Sequence, residues 1–316
     1  MNILVTGACG YKGSVLVPKL LKKGYSVVAL DIMWFGNLLP NHKNLQVVKQ
    51  DIRDIDNVPL DGIDVIIHLS SVANDPCGDL NPKLTWEISC LATMQLADKA
   101  FRMGIKHFIY ASSGSVYGLK EEKHVTEDLP LVPISEYNKT KMVAERVLLS
   151  YQDYMNVQIV RPATVCGLSP RMRLDVSVNL LTMQALTKDR ITVLGGNQTR
   201  PNIHIDDITD LYLFFIKNKT LSGIYNAGFE NLKIIEIAEM ISQKTGVEII
   251  IKSSDDPRSY RVNSDKLLSA GFKPKKSVGM AISEITEAVK NNKLTDEKRY
   301  YNLQWMRDEV LKGSDK

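Results

Sequence analysis

Residues 2–13 read NILVTGACGYKG, a short apolar segment followed by Gly7, Gly10 and Gly13 at intervals of three. In such a turn the first glycine permits a tight bend, the second lets the backbone approach a pyrophosphate, and the third lets a helix pack on the strand. The free N–H groups at the start of that helix then face the phosphates. Glycine spacing alone is a weak signal, but here it stands in the strand-turn-helix order that a dinucleotide site requires.

Short apolar segments recur along the first half of the chain and alternate with helical patterns. The predicted strands are 2–7, 26–31, 45–51, 65–70, 107–112 and 157–162, and the predicted helices between them are 12–23, 82–103 and 136–154. Strands that are apolar on both faces and separated by helices predict a parallel sheet covered on both sides. The predicted fold class is α/β, a Rossmann-type doubly wound sheet.

The alternation loosens after residue 165, where prolines and glycines punctuate the chain. Amphipathic helix patterns at 232–245 and 278–292 indicate that the C-terminal part is folded. We therefore expect a dinucleotide-binding domain at 1–165, with a return segment at about 203–222, and a smaller substrate-binding lobe made of 166–202 and 223–316.

The composition is that of an ordinary globular protein, with 316 residues, 44% hydrophobic and 24% charged, and a net charge of +4. Its basic clusters are short, so charge does not favour nucleic-acid binding. Four cysteines without paired spacing or neighbouring histidines argue against disulfides and a metal site, and favour a reducing cytoplasm. The first residues lack a signal-peptide pattern and no apolar run reaches about 18 residues, so we expect no membrane partner.

Asp31 ends the second predicted strand and indicates which dinucleotide binds. A carboxylate at this position accepts hydrogen bonds from both ribose hydroxyls and repels a 2′-phosphate. Ile32, Met33 and Trp34 offer no cation that would receive such a phosphate. The predicted cofactor is NAD and not NADP.

Tyr137 and Lys141 lie four residues apart in SEYNKTKMVAER, residues 135–146, and so share one helix face. An ammonium near the phenol, together with a cationic nicotinamide, would lower a tyrosine pKa of about 10 until the phenolate acts as a base. Such a pair occurs by chance on many surfaces. Combined with the glycine turn and with the serine loop SSGSVYG at 112–118, it indicates proton and hydride transfer at one carbon.

These segments together resemble the extended short-chain dehydrogenase/reductase family, and within it the nucleotide-sugar epimerases and dehydratases. The resemblance rests on TGACGYKG, Asp31, the sequence DIR at 51–53, SSGSVYG and YNKTK, and it extends to RPATVCG at 161–167 and TRPNIHIDD at 199–207. It implies Tyr137 as the base, Lys141 as its electrostatic partner and Ser113 as a hydrogen-bond partner of the sugar hydroxyl.

For the cofactor, the turn, Asp31 and the resemblance together predict one set of contacts: Gly7, Gly10, Tyr11, Lys12, Gly13, Asp31, Asp51, Ile52, Leu69, Ser70, Ser71, Tyr137 and Lys141. The chain departs from the family pattern at Ser70 and Ser71, where alanines are usual, and at Cys166, where an aromatic residue is usual.

The resemblance implies that Asn179 and Arg200 meet the nucleotide diphosphate, with Arg258 as a further candidate, because guanidinium groups bind phosphate oxygens in pairs. Ser113 and Ser115 are expected at the sugar. Arg173, with Arg171, lies in a basic segment that is equally consistent with a substrate contact or a solvated loop.

Members of this family begin by oxidising C4 of the sugar. Its dehydratases carry an acid in the serine loop, where this chain has Gly114 and Ser115, so dehydration is disfavoured. Return of the hydride to the other face, which is 4-epimerisation, and release of the 4-keto sugar, which is net 4-dehydrogenation, both remain open.

Residues 169–186 are also similar to enzymes that modify GDP-manno-heptose for bacterial surface polysaccharides, which makes a GDP-manno-heptose 4-dehydrogenase the leading prediction. The alternatives are a 4-epimerase and a non-catalytic NAD-binding sensor or scaffold. Family resemblance further implies a homodimer formed by helices 82–103 and 136–154, although burial against the chain's own sheet explains the same apolar stripes.

Overall fold

In the computed structural model, which describes residues 1–254 and 259–312, a parallel sheet forms the centre of the molecule. The strands are β1 Asn2–Thr6, β2 Ser26–Asp31, β3 Leu45–Lys49, β4 Val65–His68, β5 His107–Ala111, β6 Asn156–Pro162, β7 Thr164–Cys166, β8 Ile191–Leu194, β9 Thr199–His204, β10 Gly223–Ala227, β11 Glu230–Lys233 and β12 Ile249–Lys252.

The helices lie between and after these strands. They are α1 Gly13–Lys22, α2 Asp75–Leu80, α3 Pro82–Trp86, α4 Ala92–Arg102, α5 Glu136–Leu149, α6 Ser177–Lys188, α7 Ile205–Lys217, α8 Ile234–Thr245, α9 Asp265–Ser269, α10 Val278–Lys290 and α11 Asn302–Trp305. In residues 1–254 and 259–312, no helix combines the length and apolar character needed to cross a bilayer.

The central sheet has seven parallel strands in the order β10-β6-β5-β4-β1-β2-β3. All residues of β4 and β5 are buried, because helices cover both faces of the sheet. The predicted α/β, doubly wound fold class is confirmed. Since the strands are parallel, their carboxyl ends meet along one edge, where ligands bind in this architecture.

Three details differ from the sequence prediction. β3 is an edge strand with Val47 37% exposed, so it is not buried on both faces. The segment 82–103 is α3 and α4 joined by a π-helical segment, Glu87–Leu91, which is a local change of helical pitch that apolar spacing does not reveal. The helix predicted to reach 154 ends at Leu149.

β10 belongs to the central sheet, although the sequence boundary assigned residues from 223 onward to the second lobe. It pairs in parallel with β6, with Ile224 opposite Ile159. The preceding helix, α7, packs on α1, so the return to the central sheet includes a strand as well as a helix.

A part of the chain outside the central sheet contains two small sheets, β11-β9-β7 and β12-β8, packed with α6, α8 and α10. Its core includes Val178, Ile237, Ile241 and Ile282. Cys166 is fully buried in this core, so the small side chain at this position is a packing residue. The expected helix 232–245 begins at Ile234, because the two residues before it complete β11.

Candidate active site

A cavity of about 310 Å³ opens at the carboxyl ends of β1, β2, β4, β5 and β6. Its wall includes every residue predicted to contact the cofactor, namely Gly7, Gly10, Tyr11, Lys12, Gly13, Asp31, Asp51, Ile52, Leu69, Ser70, Ser71, Tyr137 and Lys141. Ser113, Ser115 and Arg173 line the same cavity. The predicted chemical groups therefore converge on one cleft.

The glycine turn leaves space that a side chain would fill. Gly7 has φ +67°, and a Cβ there would lie 2.7 Å from the Ser70 nitrogen. A Cβ on Gly13 would lie 2.4 Å from the Ala8 carbonyl oxygen. The backbone of this turn thus packs on α1 and on the loop after β4 so closely that only glycine fits, which suits a cradle for a pyrophosphate.

Asp31 lines the cavity beside this cradle, at the position predicted to contact a ribose. Its carboxylate accepts hydrogen bonds from the Cys9 nitrogen at 2.9 Å and the Met33 nitrogen at 2.6 Å. Burial raises the pKa of Asp31, while these two N–H groups and the nearby Arg171 guanidinium lower it. Each carboxylate oxygen receives one N–H bond, which leaves lone pairs for ribose hydroxyls.

Arg171 approaches Asp31 in space, whereas the sequence prediction considered only the residues that follow Asp31 in the chain. Its guanidinium lies 3.9 Å from the centroid of the Phe35 ring. It donates to the Met172 oxygen at 3.2 Å and to Asn302 Oδ1 at 2.5 Å. The cation is thus held by the protein itself at the Asp31 end of the cleft.

The Lys12 side chain lines the cleft, close to other cationic side chains. Within residues 1–254 and 259–312, its ammonium has no hydrogen bond or ion pair, and its electrostatic neighbours include Arg173 and Lys141. Burial and, secondarily, the Arg173 charge lower the pKa of Lys12 to about 8. A partly buried ammonium without an anion is unfavourable, so this position is suited to bind an anionic ligand.

Of the two serine departures from the family pattern, Ser71 is accommodated by a side-chain hydrogen bond, since its hydroxyl lies 3.0 Å from Ser89 Oγ. At Ser70 the bond is made by the backbone nitrogen, which donates to Thr6 Oγ1 at 3.3 Å, so it does not depend on the serine side chain. At the adenine end, Asp51 is paired with Arg53 at 2.7 Å and lines the cavity beside Ile52.

The catalytic candidates meet at the carboxyl end of β5. Lys141 Nζ donates to the Ala111 oxygen at 2.8 Å and lies 5.9 Å from the centroid of the Tyr137 ring. The Ser113 hydroxyl hydrogen-bonds the Tyr137 side chain and lies 2.7 Å from Ser115 Oγ. A hydroxyl, a phenol and an ammonium therefore surround one point in the cleft.

The expected lowering of the Tyr137 pKa is not found in the protein without ligand. Burial raises the pKa of Tyr137 to about 12, and the Ser113 hydrogen bond opposes this only in part. Burial and the Lys12 charge hold the pKa of Lys141 well below its usual range. A phenolate at Tyr137 would need further positive charge, which an oxidised nicotinamide would supply when bound.

Sequence analysis missed Asp75, which lines the cleft at the start of α2. α2 packs on α5 so closely that a Cβ on Gly78 would lie 3.0 Å from Tyr137 Cβ, and the Asp75 charge raises the Tyr137 pKa. The Ser135 hydroxyl donates to Asp75. Absence of an acid from the serine loop therefore does not make the cleft free of acids.

Two predicted diphosphate contacts lie outside this wall. Asn179 is fully buried, donates to Tyr11 Oη at 3.1 Å and to the Arg173 oxygen at 2.8 Å, and accepts the Gly167 N–H.

Arg200 lies on β9, 6.0 Å from the ring centroid of Tyr260, which does line the cavity. Arg258 lies outside the described residues. Arg173 is in the cleft and donates to Asp175 Oδ1 at 2.8 Å.

One group of possible metal ligands lies away from the cleft, at His204, Asp206 and Glu284. Lys19 pairs with Asp206 at 2.9 Å, and Lys276 pairs with Glu284 at 2.6 Å. His204 Nδ1 accepts the Asp206 N–H, which leaves its other nitrogen to donate to Glu284. The carboxylates are thus neutralised by ammonium groups, and the cluster fits an ion-pair network better than a metal centre.

A model of the family described as "NAD dependent epimerase/dehydratase family" matches residues 3–228. A putative UDP-glucose 4-epimerase of Methanocaldococcus jannaschii is 28% identical over 93% of this chain and 100% of that protein. UDP-glucuronic acid decarboxylase 1 of Danio rerio is also 28% identical, over 86% of this chain and 69% of that protein.

Among solved structures, UDP-glucuronic acid 4-epimerase from Bacillus cereus, in complex with UDP-glucuronic acid and NAD, superposes with a TM-score of 0.79 and 26% identity. The match covers 92% of this chain and 100% of that structure. The names of these relatives cover different reactions.

Proposed function

The chain belongs to the NAD-dependent epimerase/dehydratase family and is an NAD-dependent nucleotide-sugar enzyme, and from this we propose that it oxidises C4 of a nucleotide-diphosphate sugar. The observation that carries the proposal is the meeting of Ser113, Tyr137 and Lys141 in the cavity that also contains the glycine cradle and Asp31. NAD supplies the hydride acceptor when bound, and the cradle and Asp31 fit its pyrophosphate and ribose.

The protein's own residues provide proton transfer and orientation. Tyr137 takes the proton of the C4 hydroxyl, Ser113 holds that hydroxyl by a hydrogen bond, and the Lys141 ammonium stabilises the phenolate. Arg173 and Lys12 favour the negatively charged parts of the ligands. Removal of the proton from oxygen and of a hydride from carbon leaves a 4-keto sugar.

We propose 4-epimerisation as the completing step, since two of the relatives are named 4-epimerases and this outcome needs no further oxidant. Dehydration is disfavoured at the serine loop, where a Cβ on Gly114 would already lie 3.1 Å from the Pro162 oxygen. Net 4-dehydrogenation of GDP-manno-heptose, the leading prediction from sequence, requires a second oxidant and stays a prediction.

The test uses purified enzyme with a panel of UDP-, GDP- and dTDP-sugars, with absorbance at 340 nm and mass spectrometry of the product. A product of unchanged mass that is a new isomer supports epimerisation, and loss of two hydrogens supports dehydrogenation. Absence of any NADH signal and any new product across the panel would favour the sensor or scaffold alternative.

We also propose that the enzyme is a homodimer whose interface is the outer face of α4 and of the last residue of the π-helical segment before it. Leu91, Met94 and Phe101 recur there at helical spacing and are 44%, 40% and 40% exposed. The Phe101 ring contacts the Tyr154 ring at a tilt of 59°, with 4.9 Å between centroids, which extends the apolar surface toward the end of α5. A Met94→Glu change is expected to halve the mass measured by light scattering, and an unchanged mass would contradict this interface.

The proposed location is the cytoplasm. All four cysteines are buried and free, which fits a reducing compartment.

A further inference from the structure

Glu145 lies on α5 one turn after Lys141 and two turns after Tyr137, on the same helix face, and is fully buried. Its carboxylate does not reach the cleft. Its contacts nevertheless connect it both to the serine loop, through Ser112, and to Lys141.

Glu145 pairs with Arg161 of β6, at 2.7 Å from Arg161 Nη2 and 3.0 Å from Arg161 Nε. Both side chains are 1% exposed. Arg161 in turn donates to Tyr117 Oη at 2.7 Å, and Tyr117 donates to Asn226 Oδ1 at 2.7 Å. Glu145 is thus part of a continuous network of buried polar side chains beneath the serine loop.

The second partner of Glu145 is the hydroxyl of Ser112, which donates to its carboxylate. Ser112 stands between Ala111, whose carbonyl accepts the Lys141 ammonium, and Ser113. The Glu145–Ser112 bond therefore ties the end of β5 to α5. The separation between the end of β5 and α5 decides how Ser113 is placed relative to Tyr137.

Glu145 also acts on the charge of Lys141. The titratable groups facing Lys141 are Lys12 before α1, His68 of β4, Tyr110 of β5, and Tyr137 and Glu145 of α5. His68 is neutral, because burial lowers its pKa to about 3, and Lys12 carries a like charge. Glu145 is the carboxylate of this set, and it raises the Lys141 pKa against burial.

A buried ion pair is by itself weak support for a stability role, since desolvation offsets much of its attraction. The position of Glu145 between Ser112 and Lys141 is better explained by a role in the catalytic site. We propose, on the basis of the C4 oxidation proposed above, that Glu145 is a positioning residue that fixes Ser113 against Tyr137 and keeps Lys141 charged.

The test is Glu145→Gln, which keeps the size and a hydrogen-bond acceptor for Ser112 but removes the charge. We expect NAD to remain bound, kcat to fall by up to about 100-fold, and the alkaline limb of kcat against pH to move lower by about one unit. Ser112→Ala keeps the charge and removes one tie, so it is expected to lower kcat without moving the alkaline limb.

The matched control is Asp207→Asn. Asp207 is buried like Glu145, and its carboxylate accepts the backbone N–H groups of Lys275 and Lys276, far along the chain from the cleft. It is expected to lower thermal stability with an unchanged pH profile.

Wild-type kcat and pH dependence in Glu145→Gln would overturn the inference. If wild-type enzyme itself shows no hydride transfer with any sugar, the proposed function fails instead. The charge effect is then read directly as the pKa of Lys141, by NMR of lysine-labelled protein. An equal Lys141 pKa in wild type and Glu145→Gln would also overturn the inference about Glu145.

Discussion

The Lys141 ammonium lies 5.9 Å from the centroid of the Tyr137 ring, one helical turn further along α5. At this distance the cation influences the ring, but burial dominates, because the Tyr137 pKa is raised to about 12. The protein alone therefore holds Tyr137 as a phenol. This arrangement couples formation of the base to ligand binding.

Tyr137→Phe removes the proposed proton acceptor and keeps the ring. Turnover is expected to fall at least ~100-fold, the usual scale for loss of a general base, with NAD still bound. Stopped-flow absorbance at 340 nm measures the step, and isothermal calorimetry measures the NAD affinity. Tyr225→Phe, at a buried tyrosine of β10, is the control and is expected to be silent. Turnover at the wild-type rate in Tyr137→Phe would exclude this tyrosine as the base.

The sequence predicted those parts of the site that depend on local patterns. The glycine turn, Asp31 and the spacing of Tyr137 and Lys141 each lie within one strand-turn-helix unit or one helix, so their geometry follows from neighbouring residues. The parallel sheet then brings these units together, because its strands all end at one edge.

Contacts between distant segments were not predictable in this way. Arg171 reaches Asp31 only because residues 167–172 pack on the start of α1, where Ser169 Oγ lies 2.9 Å from Ser14 Oγ. Asn302 joins the same end of the cleft from near the C-terminus. Asp75 had a signal in the sequence, since it lies in the segment that follows β4 at the ligand-binding edge of the sheet.

Gly13→Ala is expected to abolish NAD binding and to lower the free energy of unfolding by roughly 1–3 kcal/mol, the usual cost of overpacking. The added methyl group would meet the Ala8 carbonyl oxygen at 2.4 Å, so the turn or α1 must move. Urea unfolding and NAD titration measure both effects. Gly279→Ala in α10 is the control, because its Cβ meets the end of the Met240 side chain at an ordinary 3.4 Å. Undiminished NAD affinity in Gly13→Ala would contradict the proposed cradle.

NAD affinity is expected to fall as pH rises through about 8, the pKa of Lys12. The sign follows from charge: below this pH Lys12 is an ammonium that attracts the dinucleotide's phosphates, and above it the attraction is lost. Since bound phosphate favours the protonated form, the pKa of Lys12 is higher in the complex, and affinity falls by up to tenfold per pH unit between the two pKa values and levels off above the pKa of the complex.

Calorimetry between pH 6.5 and 9.5 measures this dependence. Lys12→Met is expected to bind NAD more weakly and with a flatter pH profile. Lys23→Met, at an exposed lysine beyond the other end of α1, is the control and is expected to behave as wild type. A profile in Lys12→Met as steep as that of wild type would assign the pH dependence to another group.

Asp75→Asn tests whether the acid that sequence analysis missed acts on the base. The Asp75 charge raises the pKa of Tyr137, so its removal is expected to lower that pKa and to move the acidic limb of kcat/KM to lower pH. The expected shift is about half a unit to one unit, the order of a partly screened Coulomb interaction. Asparagine keeps an acceptor for the Ser135 hydroxyl, so the loop geometry is preserved.

Asp79→Asn, on the exposed side of the same helix, controls for loss of a charge in α2. A shift to higher pH, or an equal shift in both variants, would show that Asp75 does not act on Tyr137 through its charge.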